Sequence, residues 1–235
     1  MTYTPESPST SERRKDDAGI ASGELPTTLA ARLEEDIVFG RRHPRERLIE
    51  EDLAKEFSVK RHVVRQALVE LEHLGLVERV RNRGAVVKFY AAEEVEEINA
   101  VRELLEGHAA SLIPLPLSAN ASAELKTLQK RHADAVEAGD RREVFRGNID
   151  FHRALFSHCG NRALIEAIGI FGQKSHLYRS IFVNDREYLR WAAAAHSQMI
   201  EAIESGDRER LVRLCREHLA PAKNHYIATW RSRFT

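Results

Sequence analysis

Residues 48–87 read LIEEDLAKEFSVKRHVVRQALVELEHLGLVERVRNRGAVV, and two structural periods meet within this stretch. Apolar residues recur every three or four positions from Val64 to Leu71, and the pattern stops at Gly75. This spacing predicts a helix with one buried face. Short apolar runs then flank RNRG at 81–84, which predicts a β-hairpin with a tight turn. A helix that leads directly into a hairpin is typical of a winged helix-turn-helix.

The residues before this stretch supply the other two helices of such a module. Thr27 or Thr28 can cap a helix whose apolar positions are spaced by four and which ends at Gly40. A shorter helix is predicted around Leu53. Three short helices and a hairpin therefore fit within residues 26–90, which we predict to form a winged helix-turn-helix domain.

Basic residues concentrate in this module although the whole chain has a formal net charge of +0. Residues 60–88 hold seven Lys and Arg against three Glu, a local excess of +4. The basic groups lie at the start of the third helix, the end that enters the major groove in a helix-turn-helix, and at the hairpin turn. We therefore predict that this module binds double-stranded DNA. The predicted DNA-binding residues are Lys60, Arg61, His62, Arg65, Arg81, Arg83 and Gly84.

At these residues the chain resembles the GntR family of bacterial transcription regulators. The resemblance covers about 65 residues and rests on Leu-x-Glu-x-x-Leu-Ala from Leu48, Val-Arg-x-Ala-Leu from Val64, and the Asn-Arg-Gly wing from Asn82. The sequence departs from the family pattern at four positions that face or flank the DNA groove, so an unusual operator sequence is expected. Those positions are Lys60, His62, Val63 and Gln66.

The segments on either side of this module differ from it in character. Residues 1–25 are rich in Ser, Thr, Pro and charge, and are predicted to be a disordered tail. Arg13, Arg14 and Lys15 suggest an arm that touches DNA, but two Asp residues follow at once and favour a plain tail. Residues 91–235 show helical periods and turn signals without a strand pattern, which predicts a bundle of about six helices. The fold class is mainly α.

The composition of the chain indicates its cellular location. It has two Cys without a CxxC motif, no apolar run long enough for a membrane span, and no apolar signal-peptide core at its N-terminus. These features predict a cytoplasmic protein without a disulfide framework or a membrane partner.

Four polar residues in the predicted bundle stand among apolar or small neighbours. Asn148 and His152 are four residues apart and share one helix face. His196 and His218 lie at similar distances on either side of the turn at 205–207, so two antiparallel helices would bring them together. Three imidazoles and an amide oxygen suit a divalent metal. Spacing alone leaves a second interpretation open, that of hydrogen-bonded core residues. The other bundle histidines, including His132 and His176, are predicted to be surface or packing residues.

The bundle also resembles the FCD domain, the effector module of the FadR-like branch of the GntR family. The resemblance rests on VRELLEGHAASL (101–112), NIDFHRALFSHCGN (148–161) and the run from His196 to His218. It implies a divalent metal, with Zn, Ni or Mn the most suitable, held by Asn148, His152, His196 and His218. Asn stands where Asp is the commoner ligand, which implies weaker charge compensation.

The resemblance further implies a homodimer that senses a small carboxylate. Arg102 matches a family position and is the candidate anion partner, because its guanidinium suits a carboxylate. The alternative for Arg102 is an ion pair with Glu106, one helical turn away. Tyr178 and Arg179 are predicted to line the same cavity.

The predicted function is a transcriptional regulator, and a repressor in particular, whose operator affinity is set by a carboxylate at a metal-containing pocket. Two alternatives stay within the same class: a metal sensor without an organic effector, and a metal-free regulator that binds a larger acyl ligand. A metal-dependent hydrolase is a further alternative from another class. Against it, the sequence has no HExxH motif or Ser–His arrangement.

Overall fold

Helices form most of the protein, which confirms the mainly α fold class. A computed structural model describes residues 28–80, 84–179 and 185–234. The predicted tail at 1–25 and the wing residues Arg81 and Arg83 lie outside the described residues. Among the described residues, no helical segment combines the length and apolar composition of a membrane span.

The N-terminal elements form a winged helix-turn-helix, which we call the head. Its elements are α1 (Leu29–Val38), β1 (Arg47–Leu48), α2 (Glu50–Glu56), α3 (Arg61–His73), β2 (Val77–Val80) and β3 (Gly84–Val87). The hairpin is confirmed, since β2 pairs antiparallel with β3. The two-residue strand β1 adds to the other edge of β3, so the sheet has the order β1-β3-β2. The strand β1 was not predicted, because a strand of two residues is too short to show an alternating pattern in the sequence.

Gly84 is required by the sheet itself. Its φ is +88°, in the region that disfavours L side chains, and a Cβ there would lie 2.1 Å from the carbonyl oxygen of Leu48 in β1. Gly84 is also one of the residues predicted from the sequence to bind DNA. The packing against Leu48 explains the glycine without DNA, and a DNA contact there remains a prediction.

The remaining elements form a helical domain, which we call the bundle. Its elements are α4 (Ala92–Leu112), α5 (Ala119–Ala138), α6 (Arg141–Ser157), α7 (Arg162–Lys174), α8 (His176–Arg179), α9 (Arg186–Glu204), α10 (Arg208–Glu217) and α11 (Ala220–Phe234). The described part of the bundle thus has eight helical segments where about six were expected. One extra break falls at Ser175. The other precedes Pro221, which lacks the N–H that would continue α10.

Side-chain caps start most of these helices at the predicted turn signals. Thr28 accepts a hydrogen bond from Ala31 N, as predicted, and Asn161 and Asp207 accept from the backbone of their own first turns. Asp140 and Asp185 do the same for α6 and α9. These caps fix where each helix begins, and hence the height at which its side chains enter the bundle.

The head packs on the bundle through a shared apolar core. The head core residues form one continuous cluster with Leu177, Tyr178, Ala222 and Ile227 of α8 and α11. A second cluster, built from α4, α6, α9 and α10 with neighbouring residues, fills the bundle. The head is therefore held against α8 and α11 and does not stand apart from the bundle.

Candidate functional site

The first candidate site is the exposed N-terminus of α3. Lys60, Arg61, His62 and Arg65 are all exposed there. Lys60 is the N-cap and its side chain makes no capping hydrogen bond. The first backbone N–H groups of α3 thus keep their capacity to bind a phosphate.

Two of these basic side chains are held by carboxylates from α2. Arg61 lies 3.0 Å from Glu51, and Arg65 lies 2.7 Å from Glu50. Arg61 and Arg65 side chains are still 60% and 62% exposed, so solvent weakens these pairs. The two guanidinium groups are therefore oriented at the surface and available to an anionic partner.

The second candidate site is a cluster of three histidines inside the bundle. His152 on α6, His196 on α9 and His218 at the C-cap of α10 place their side-chain nitrogens within 4.8 Å of one another. The Nε2 of His152 lies 3.2 Å from the Nε2 of His218 and 3.2 Å from that of His196. The structure thus brings together the three histidines that the sequence singled out.

Burial keeps these rings uncharged. It lowers the pKa of His152 and His196 well below the usual value, and the neighbouring histidines add to the effect. For His218, burial and the charges of Arg179 and Arg102 lower the pKa to about 3. Neutral imidazoles are the form that coordinates metal.

The Nδ1 atoms of the three rings are buried without a hydrogen-bond partner among the described residues. Metal-ligating histidines usually donate this second N–H to a carboxylate or a carbonyl. The Nε2 atoms of the cluster therefore converge, but the described protein groups do not accept hydrogen bonds from the Nδ1 atoms.

Asn148 lies one turn before His152 on α6 and is 7% exposed. It lines a cavity beside the histidine cluster, with a volume of about 530 Å³ that includes space open to solvent. The cavity is lined by Val38, His132, Arg141, Val144, Phe145, Asn148, His176, Arg179, Tyr188, Leu189 and Ala192. Apolar walls with a few cationic and amide groups are typical of a site for a small organic anion.

Of the three predicted effector-binding residues, one lines the cavity and the other two belong to a buried hydrogen-bonded network. Arg179 lines the cavity. Arg102 is buried and pairs with Glu106 at 2.8 Å, which is the alternative interpretation of this residue. Burial by itself would lower the pKa of Arg102. The interactions with Glu106 and with the hydroxyl of Tyr178 are stronger than this effect, so the pKa of Arg102 is raised.

Tyr178 belongs to the same buried network as Arg102. Its hydroxyl donates to Asn99 Oδ1 at 3.2 Å and lies 3.4 Å from the Nη1 of Arg102. Neither Arg102 nor Tyr178 is among the residues that line the cavity. Their assignment to effector binding remains a prediction, and the structure gives both of them a packing role.

Two buried cavity residues were grouped in the sequence with surface or packing histidines and so were not predicted as site residues: His176 on α8 and, next to the histidine cluster, His132 on α5. His132 is 1% exposed, lines the cavity, and its ring centroid lies 4.9 Å from that of His196. Burial lowers its pKa to about 4, and its Nδ1 has no hydrogen-bond partner among the described groups.

The sequence feature that could have pointed to a packing partner such as His132 is a glycine in α6, Gly147. A Cβ at Gly147 would lie 3.2 Å from the Cβ of His132, so the glycine permits α5 and α6 to approach closely. Gly147 immediately precedes Asn148, which marks this face of α6 as tightly packed. The sequence alone does not say which residue of which helix packs there.

An exposed basic helix on a winged head, joined to a bundle with a buried site, defines the class of protein: a DNA-binding transcriptional regulator. Two family models match the chain. Residues 25–87 match the gntR family of bacterial regulatory proteins, and residues 97–221 match the FCD domain. The chain belongs to the GntR family and carries an FCD domain. It is accordingly a regulator and not an enzyme, as expected.

Named relatives agree with this membership. The chain is 28% identical over 179 residues to a probable D-xylose utilization operon transcriptional repressor of Paenarthrobacter nicotinovorans, covering 75% of this chain and 78% of the relative. It is 26% identical over 201 residues to the HTH-type transcriptional regulator McbR of Escherichia coli strain K12, covering 83% and 88%.

Solved structures share the fold. The structure of E. coli McbR/YncC superposes with a TM-score of 0.70 at 23% identity, covering 88% of this chain and 96% of that chain. A putative GntR regulator from Rhodococcus sp. RHA1 gives 0.71 at 21% identity, covering 94% and 100%.

Proposed function

We propose that this regulator is a repressor whose affinity for operator DNA is controlled by a small carboxylate bound beside a divalent metal ion. The observation that carries the proposal is the convergence of three neutral imidazoles next to a cavity lined by Arg179. The relative from P. nicotinovorans is named as a probable repressor, which supports that direction of control.

The spacing of the histidines fits a metal ion. Two nitrogens at about 2.1 Å from one metal are about 3.0 Å apart at right angles and about 3.4 Å apart at the tetrahedral angle. The two Nε2–Nε2 distances of 3.2 Å lie between these values. His152, His196 and His218 would hold the ion, with the amide oxygen of Asn148 as a fourth ligand. Such donors suit Zn, Ni or Mn.

The cavity supplies the other half of the effector site. The metal, when bound, would attract a carboxylate to the Asn148 end of the cavity. Arg179 adds a permanent positive charge and can donate two hydrogen bonds to the same group. Tyr188 and the apolar walls would exclude water from the rest of the ligand. These roles support a carboxylate in preference to a neutral ligand.

The α3 N-terminus is the proposed reader of the operator, through Lys60, Arg61, His62 and Arg65. The assignment of Arg81, Arg83 and Gly84 to the wing contact rests on the sequence. The operators of GntR-family regulators lie in the bacterial cytoplasm, and we place this protein there.

A homodimer fits this role, since two heads would match a two-fold symmetric operator. Helices α4 and α7 pack together and present large exposed apolar side chains, namely Leu104 at 69%, Leu112 at 41% and Ile170 at 44%. Exposed apolar side chains of this size support association with a second copy. Sedimentation would test this by measuring the mass in solution.

The test of the metal is elemental analysis of the purified protein beside two variants. Near-stoichiometric metal is expected in the wild type and in His108→Ala, an exposed histidine that serves as control. His196→Ala/His218→Ala should lose the metal and keep the helical circular dichroism of the wild type. Metal-free wild type, even after reloading, would overturn the metal part of the proposal.

The test of the effector is operator binding by the metal-loaded protein in the presence of a panel of carboxylates, with D-xylose as a neutral comparison. A carboxylate that lowers operator affinity only in the metal-loaded protein supports the proposal. A response to metal alone would favour the metal sensor. A response to an acyl ligand that survives in the double histidine variant would favour the metal-free regulator.

A further inference from the structure

The head is tied to the bundle by two carboxylates of α1. Glu35 is 4% exposed and accepts hydrogen bonds from Arg142 Nε at 2.9 Å and Arg146 Nη2 at 3.0 Å. Its neighbour Glu34 lies 2.8 Å from the Nδ1 of His176. These ties join α1 to α6 and α8, both of which also supply cavity walls.

The last residue of α1 is itself part of the cavity wall. Val38 is 3% exposed and lines the cavity, together with Phe145 and His176 of the bundle. The next residue, Phe39, packs edge-on against Phe145 with ring centroids 6.0 Å apart. The cavity is therefore bounded by both domains, and the head contributes one of its apolar surfaces.

The polar and the apolar parts of the cavity are offset along α6. Asn148, beside the histidine cluster, follows Phe145 by three residues, a rise of about 4.5 Å along the helix. A carboxylate held at Asn148 thus needs an apolar body of about one helical turn to reach the part of the wall formed by Phe145 and Val38. A two-carbon acid is too short, and a six-membered ring is long enough.

We propose that the cavity takes a carboxylate with a compact apolar body, and that this body contacts Val38 so that the head senses the ligand directly. This inference rests on the proposed function, since it assumes the carboxylate at the metal end. A ligand that touches both domains has a different affinity when the head moves away from the bundle. A short acid that touches the bundle alone has the same affinity in both states and leaves the head unaffected.

The experiment compares acetate with cyclohexanecarboxylate on the metal-loaded full chain. Calorimetry gives the affinity of each acid, and operator binding gives the response to each. Wild type should bind both acids, and cyclohexanecarboxylate alone should change operator affinity. In Val38→Ala, two lost methyl contacts should weaken cyclohexanecarboxylate about tenfold and leave acetate unchanged. Unchanged acetate binding also shows that the variant keeps its folded site.

Val144→Ala is the matched control, because Val144 is a buried cavity wall of the same size that belongs to the bundle. It should weaken cyclohexanecarboxylate to a similar degree, while the saturating acid changes operator affinity by the same factor as in wild type. In Val38→Ala that factor should fall towards one.

Two results overturn the inference and are distinguishable. If neither acid binds the metal-loaded wild type, the proposed function and this inference both fail. If both acids bind and Val38→Ala changes neither the affinity ratio nor the operator response, the carboxylate site stands and the role of Val38 is refuted.

Discussion

Glu35→Gln removes the negative charge that holds two arginines of the bundle against α1, and it offers the sharpest test of how the two domains are joined. The Glu35 and Arg142 side chains are 5% and 8% exposed, so water replaces little of the lost interaction. Removing one partner of a buried ion pair typically costs about 3–5 kcal/mol. Arg146 is 28% exposed and can hydrate, and glutamine keeps one acceptor oxygen, so we expect a cost of about 3 kcal/mol.

In a chain of this size, that cost corresponds to a fall in Tm of roughly 6–12 °C. Differential scanning calorimetry would measure it and would show whether the head then melts before the bundle. Glu137→Gln is the control, because Glu137 pairs with Arg190 on the surface, where the two side chains are 59% and 56% exposed. Its Tm should equal that of wild type. Equal Tm values for the Glu35→Gln and Glu137→Gln variants would refute the view that Glu35 holds the head against the bundle.

Three further predictions follow from the sites. Asn148→Asp should tighten metal binding severalfold, because a carboxylate compensates the ion's charge, and a chelator competition would measure it; equal affinities would remove Asn148 from the ligand set. The metal-free protein should lose stability as the pH falls below about 6.5, since His132 and His218 have folded pKa values of about 4 and about 3 and the unfolded chain takes up their protons first. Urea unfolding should show a loss on the order of 1 kcal/mol per histidine between pH 6 and pH 5, and a flat profile would contradict their burial as neutral groups. Arg61→Ala should weaken operator binding roughly tenfold or more and flatten its salt dependence, whereas the exposed Arg213→Ala should do neither.

Much of the local structure was determined by the sequence alone. Capping residues such as Asn161 and Asp207 act on backbone groups two or three positions away, and apolar spacing acts over four. Helix starts, the third helix of the head and its hairpin therefore followed from residues close in sequence. The pair of Asn148 and His152 on one face of α6 is of the same kind. The convergence of His196 and His218 also followed, since a single turn separates their helices.

Tertiary packing decided the rest, because it joins groups whose separation along the chain carries no pattern. His132 reaches the site only because α5 packs on α6 at Gly147. Arg102 forms an ion pair with Glu106 because both side chains are buried. Val38 lies 110 residues before Asn148, yet both line one cavity, since Glu35 and its arginine partners fix α1 against the bundle. Periodicity predicts which face of a helix is buried, and only the packed structure determines which distant helix covers it.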